Sequence, residues 1–280
     1  MNGRRGIIRC LAACALAFPL SAFAQEAGKI PRIGILSSES PTEAIHATRL
    51  GALRQGLLEH GYEDGKNISF ESRYANGQYS LLPDLAAALV RLDVHIIVAV
   101  GIKAAVAAKN ATSKIPVILP ATTADVVSLG LASSLARPGG NFTGSTSFGP
   151  EIMAKRMELL NEIMPRATRM AFLFNPSNPS IGPTLRTMEV TAKSRNVTLS
   201  AVKARVPADF AGAFNELAKN RIDVLILQGD TLFTINPRQL AQLALKHRFA
   251  AAGAVEFAHA GGLLGYAPNV AEQYRAPQRT

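Results

Sequence analysis

From residue 30 onward, short continuous apolar runs alternate with amphipathic helical stretches, and that alternation restricts the fold more than any other feature of the chain. Runs such as "VHIIVAVG" (94–101), "IPVILPA" (115–121) and "IDVLILQGD" (222–230) are apolar at successive positions, as strands of a parallel sheet covered on both faces must be. Parallel neighbours cannot be joined by a tight hairpin, so a long crossover, here helical, has to separate them. "IPRIGIL" (30–36) leads into "PTEAIHATRLGALRQGLLEHG" (41–61), which sets Ile45, Leu50, Leu53, Leu57 and Leu58 on one helical face before Gly61 stops it. "NISFESRYA", "LLPDLAAALVRL" and "KAAVAAKNA" continue the same order. The first half therefore predicts a doubly wound α/β domain.

One cluster of helix and strand breakers interrupts the rhythm, Pro138, Gly139, Gly140 and Asn141 within "LARPGGNFTG" (135–144). The pattern then restarts: "NFTGSTS", "RMAFLFNP", "VTLSAVKA" and "IDVLILQGD" read as strands, separated by helices, and "AAAGAVEFAHAGGLLGYAP" closes the series. Two α/β lobes with doubly wound parallel sheets are expected, one over residues 25–140 and one over 141–261, with 262–280 returning to the first. The breaker cluster is then the crossover between lobes, the alternative being a long surface loop inside a single domain.

Residues 1–24 stand apart. Arg4, Arg5 and Arg9 precede an apolar run from Cys10 to Leu20, and "SAFA" follows, the order of a secretory signal with cleavage expected after Ala24. The run is shorter than the roughly 20 apolar residues a membrane span needs. Cys10 and Cys14 are the two cysteines of the 280-residue chain, so a mature chain cut after Ala24 has no disulfide and no thiol nucleophile. The formal charge of +10 is scattered, without a basic stripe interleaved with aromatics, which argues against nucleic acid as a partner.

Catalytic signatures are missing. "STSFG" (145–149) places Ser145 where G-x-S-x-G requires its first glycine. There is no phosphate-cradling G-x-x-x-x-G-K-[ST] and no G-x-G-x-x-G after a strand. His46, His60, His95, His247 and His259 form no H-E-x-x-H and no i, i+4 pair that would grip zinc. The chain reads as a non-enzyme without cofactor or metal. Polar residues do gather where strands end: Ser37 and Ser38, Gly101, Thr122, Thr123 and Asp125, Ser145 and Ser147, Asn175 and Asn178, Gln228 and Asp230. Open α/β sheets bind ligands at that rim. Each residue type also suits a turn or a cap, so the set, rather than any one position, points to a cleft for a small polar molecule.

The stretches "LRQGLLEHGYEDGKNISFESRYANGQYSLLPDLAAALVRLDVHIIVAVG", "SLGLASSLARPGGNFTGST", "LFNPSNP" and "AHAGGLLGYAPN" resemble the ABC-transporter substrate-binding proteins related to the periplasmic tryptophan-binding proteins. The resemblance implies a type I periplasmic-binding-protein-like fold that closes around one small solute. It implies a periplasmic protein, expected as a monomer, that delivers the solute to an ABC permease in the inner membrane; a sensory ligand-binding protein acting on a signalling partner is the alternative. It also implies that the loops after Leu36, Val100, Pro120, Thr143, Phe174 and Leu227 line the cleft. For an amino-acid solute, Asp125 or Asp230 would pair with the ammonium group. Ser37, Ser38 and Thr123 would hold the carboxylate with N–H groups at helix starts, and Tyr266 would form an apolar wall. No Arg stands at a strand end, so a bidentate carboxylate clamp has to come from elsewhere. In resembling proteins the helix beginning near Asn269 runs on into another crossover, a strand and a helix. Here Pro277 interrupts that helix and Thr280 is the last residue, so the last crossover and strand are expected to be missing.

Overall fold

The computed structural model describes residues 30–42, 44–147 and 149–275; the expected signal segment with Cys10, Cys14 and Ala24, and Pro277 to Thr280, lie outside the described residues. The apolar runs become two five-stranded sheets, parallel throughout. The first contains β1 (Arg32–Ser37), β2 (Ser69–Tyr74), β3 (Ile96–Val100), β4 (Val117–Thr122) and β5 (Phe142–Thr146) in the order β2-β1-β3-β4-β5. The second contains β6 (Arg169–Phe174), β7 (Thr198–Lys203), β8 (Val224–Leu227), β9 (Ala250–Gly253) and β10 (Leu264–Gly265) in the order β10-β9-β8-β6-β7.

Alternate residues of the central strands face two separate cores, which is why these strands are apolar at successive positions. Ile35, Val98 and Val100 pack under α1 (Ala44–Glu59), while Leu36, Ile97 and Ala99 pack under α2 (Leu82–Arg91) and α3 (Ile102–Ala111). In the second sheet, Phe172, Val224 and Ile226 meet Met153, Met157 and Leu160 of α4 (Gly149–Ile163) and Met188 of α5 (Ile181–Ser194). Its opposite face, with Leu173, Leu225 and Leu227, takes Phe210 and Phe214 of α6 (Asp209–Lys219) and Leu240 of α8 (Pro237–His247). On α1 the expected apolar stripe is only partly used. Leu50 is buried but Leu58 is exposed, and His46 is buried instead.

The breaker cluster does a different job from the one expected of it. Phe142–Thr146 is an edge strand of the first sheet, in register with β4 from Val117↔Phe142 to Leu119↔Gly144. The Asn141 side-chain amide donates to the carbonyls of Thr112 (3.0 Å) and Ile115 (2.7 Å), and its oxygen accepts from Lys109 Nζ (2.9 Å). Gly139 and Gly140 take positive φ, 69° and 63°, which glycine adopts without steric cost. Pro138 to Asn141 thus turn the chain back beside β4. The crossover expected there, at residue 140, falls after Thr146, where Ser147 leads towards α4.

The return path also starts later than residue 262. β10 still pairs with β9, and only α10 (Val270–Arg275) packs on α1. Tyr274 of α10 is buried in the first lobe with Ile33, Ile35 and Leu50, and burial raises its phenol pKa. Gln273 Nε2 donates to Ser147 Oγ (3.0 Å), which ties the outgoing segment to the returning one.

Candidate functional site

In both sheets the chain reverses its winding beside the central strand, between β1 and β3 and between β6 and β8. Such switch points leave a crevice beyond the carboxyl ends of the strands, because the helices on either side diverge. The two crevices face one another across a cavity of about 680 Å³, lined from the first lobe by Ser38, Arg49, Gly101, Lys103, Thr122 and Thr123. Asn178, Asp230, Thr231, Arg156 and Glu256 line it from the second, and Ala267 to Ala271, Gln273 and Tyr274 from the returning segment. The walls come close at the rim: a Cβ on Gly101 would lie 3.1 Å from Ser38 Oγ and 3.5 Å from Thr231 Oγ1. Gly101 also has φ of 98°, so no other residue fits there without strain.

The wall of the second lobe is built around Asp230. Its carboxylate is buried and accepts from Asn175 Nδ2 (3.1 Å), Asn178 Nδ2 (2.7 Å) and the N–H of Leu232 (2.9 Å). The last of these caps the short helix α7 (Thr231–Thr234). Asn175 is itself fixed by its N–H donating to Gln228 Oε1 (2.8 Å), and Asn178 Oδ1 accepts from the N–H of Ser180 (2.9 Å). A carboxylate held by three donors in this way has a fixed orientation at the cavity wall.

The first lobe contributes cations and unmet hydrogen-bonding groups. Arg49, in the second turn of α1, pairs through Nη1 with Glu39 Oε1, and the Glu39 side chain is fully buried. His46 Nδ1 lies 3.5 Å from Glu39 Oε2 and 3.4 Å from Ser37 Oγ, which accepts from the N–H of Glu39 (3.0 Å). Ser38 Oγ is buried with no partner among the described residues. Lys103 Nζ sits 3.5 Å from the centre of the Tyr79 ring; burial lowers the Lys103 pKa and the Asp230 charge opposes that shift. Arg156, on α4, is buried and donates through Nε to the Tyr266 carbonyl (2.8 Å) and through Nη1 to the Leu227 carbonyl (2.7 Å). Burial lowers its pKa to about 10, against the pull of Glu256, so it stays charged at neutral pH.

Of the residues expected at the rim, the structure brings Ser38, Gly101, Thr122, Thr123, Asn178 and Asp230 to the cavity wall. Ser37, Asn175 and Gln228 lie behind it as supports. Asp125, Ser145, Ser147 and Tyr266 are not on the wall. Asp125 is exposed, and its Oδ1 accepts from the N–H groups of Val127 and Ser128 (both 3.1 Å), so it closes a turn and does not face an ammonium group in the cavity. Ser145 lies on the edge strand β5, and Ser147 serves the contact with Gln273. Tyr266 is 40% exposed and offers its backbone carbonyl to Arg156 rather than its ring to the cavity.

Arg49, Lys103 and Arg156 line the cavity without a strand-end signal in the sequence. They stand in the first three turns of helices that follow strand ends, and helical Cα–Cβ bonds tilt towards the helix N-terminus, so such side chains reach back to the rim. Arg49 and Arg156 are arginines at the cavity that helices, not strand ends, supply.

Residues 39–274 match a family described as ABC transporter substrate binding protein. A "Tyrosine-binding protein" of Clostridioides difficile (strain R20291) is 27% identical over 210 residues, 75% of this chain; the chain spans 60% of that protein's length. The structure of an ABC domain in complex with L-Trp from Streptococcus pneumonia aligns with TM-score 0.80 at 19% identity, covering 89% of this chain and 82% of that one. A conserved domain protein from Vibrio cholerae aligns with TM-score 0.77 at 23% identity, covering 84% and 77%. Two parallel-sheet α/β lobes in this arrangement form the type I periplasmic binding protein fold. With a matched segment that runs from the first loop at the cavity to the helix that returns to it, the chain belongs to the ABC transporter substrate binding protein family.

Proposed function

We propose that this protein is the periplasmic receptor of an ABC importer and that its solute is an aromatic amino acid, bound as a zwitterion between the lobes and handed to an inner-membrane permease. The observation that carries this reading is the opposition of Asp230, buried and held by three donors, to Ser38 and Lys103 across the cavity. An α-ammonium group pairs with Asp230, and the adjacent α-carboxylate meets the cationic first-lobe wall. Three cations, Arg49, Lys103 and Arg156, stand with three acids, Glu39, Asp230 and Glu256, and Arg49 is ion-paired with Glu39, a balance that favours a solute of zero net charge over an anion.

Ile45, Ala121, Ile152, Met153, Val255 and Val270 supply an apolar enclosure for a side chain. The volume lies within the range of about 300–1,000 Å³ usual for small-molecule sites. An aromatic side chain, as in the tyrosine and tryptophan named for the two relatives, is in keeping with such an enclosure. The charged, apolar and small-residue order of the N-terminus supports export. Both cavity walls come from one chain, so a monomer is sufficient.

Isothermal calorimetry with tyrosine, tryptophan, leucine, glutamate and benzoate tests the reading. It predicts that tyrosine or tryptophan binds tightest and that benzoate binds weakly. Benzoate binding as tightly as either aromatic amino acid would overturn it.

A further inference from the structure

Among the described residues, the buried side-chain polar atoms without a hydrogen-bond partner are Ser38 Oγ, Glu39 Oε2, His46 Nε2 and Arg49 Nε. All four belong to the loop after β1 and the first two turns of α1. Everywhere else in the described structure the buried polar side chains are satisfied, as native proteins require. Buried groups left without a hydrogen-bond partner beside a ligand cavity are groups that a ligand can satisfy. Ser38 and Arg49 are the two of these residues that line the cavity, and Glu39 and His46 lie behind them.

We propose that Arg49 is the carboxylate-recognition residue of this receptor, receiving the α-carboxylate of the solute beside the Ser38 hydroxyl, with Glu39 as the residue that positions it. The inference rests on the amino-acid reading above and names the residue that reads the acid group. Glu39 holds Nη1, which fixes the long side chain in one orientation and leaves Nε unengaged. The planar guanidinium fork matches the two oxygens of a carboxylate, which an ammonium group cannot engage in the same two-point way.

Lys103, the other first-lobe cation at the cavity, is already engaged. Its Nζ lies against the Tyr79 ring and feels the charge of Asp230. The Ser38 hydroxyl, one residue from Glu39 and buried to 1% exposure, completes the acid-binding corner.

The test removes the carboxylate from the ligand and the guanidinium from the protein in turn. Wild type, Arg49→Gln, Lys103→Gln and Ser38→Ala are titrated with L-tyrosine and with tyramine, which keeps the ammonium group and the ring. Wild type is expected to favour tyrosine by about 100-fold, the scale of a buried charge pair, and Arg49→Gln to reduce that preference below about 10-fold while tyramine affinity is kept. Ser38→Ala, which leaves the Glu39–Arg49 pair intact, is expected to lose part of the preference, about 3- to 10-fold.

If Arg49→Gln discriminates as wild type does, or if Lys103→Gln alone abolishes the preference, the proposal is wrong. Retained tyramine binding shows that a variant is folded. Should Arg49→Gln bind neither ligand, the Ser38→Ala result decides: an unchanged preference there overturns the proposal, and a reduced one supports it. Absence of binding of both tyrosine and tryptophan to wild type would sink the amino-acid reading itself, and this inference with it.

Discussion

The two walls of the cavity are finished to different degrees. On the second lobe, Asp230 has three donors, each in turn held by the local structure. On the first, Ser38, His46 and Arg49 each leave a buried polar atom without a hydrogen-bond partner, and Glu39 Oε2 has only the 3.5 Å contact with His46 Nδ1. A satisfied wall can hold its geometry in an open, solvated receptor. An unsatisfied one gains most when a solute arrives and water leaves, because buried polar groups without partners cost about 1–3 kcal/mol each. On the proposed function, the first lobe would take the larger share of the change on binding and the second would serve as a template.

Substitutions can break this contrast, and the largest effect is expected at Glu39. Glu39→Ala removes the counter-charge of Arg49 in a buried setting and should lower unfolding stability by about 3–5 kcal/mol; chemical denaturation of the solute-free protein measures it. Next comes Asp230→Ala, which should weaken amino-acid binding by about 2–5 kcal/mol in calorimetry, since the ligand ammonium loses its buried mate. Asn178→Ala removes the 2.7 Å donor to Asp230 Oδ2 and should weaken binding by about 1–3 kcal/mol. If Asn178→Ala binds like wild type, the second wall does not depend on its support in the way described.

Two acids away from the cavity sharpen the comparison. Asp223 accepts from the side chain of Arg169 and from the N–H groups of Arg169 and Thr168, which together hold its pKa below the ordinary 3.8. A carboxylate lowered on folding stabilises the native state above its unfolded pKa, and that contribution is lost as pH falls through the folded value. Asp223→Asn should therefore be less stable than wild type at neutral pH. The gap should close below pH 3.8, as acid titrations of the denaturation midpoint would reveal, with solute affinity unchanged at neutral pH. The smallest effect belongs to Asp125→Ala, which should alter affinity by less than about 0.5 kcal/mol, the scale of an exposed charge.

Much of this architecture can be read from the chain, and its misreadings have physical causes. Continuous apolar runs reveal parallel strands because both faces of each are covered, and strand-end polar residues locate the rim at Ser38, Gly101, Thr123, Asn178 and Asp230. Pro138 to Asn141 misleads because breakers announce a change of direction without saying where the chain goes next. The side chain of Asn141, reaching residues 112 and 115, decides that the next strand stays in the first sheet. Asp125 and Asp230 look alike in sequence. One caps an exposed turn and the other is enclosed by two asparagines more than fifty positions away, a distinction set by tertiary packing. Arg49 escapes notice because it is separated from its strand end by a loop and a turn of helix, yet leans back over both.

The central claim is that the second-lobe carboxylate reads a ligand ammonium group. The most direct measurement is a calorimetric cycle in which wild type and Asp230→Ala are each titrated with tyrosine and tryptophan and with the deaminated analogues of both. The account predicts that wild type favours an amino acid over its analogue by about 100-fold, and that Asp230→Ala shows almost no preference. Equal affinity of wild type for an amino acid and its deaminated analogue would contradict it.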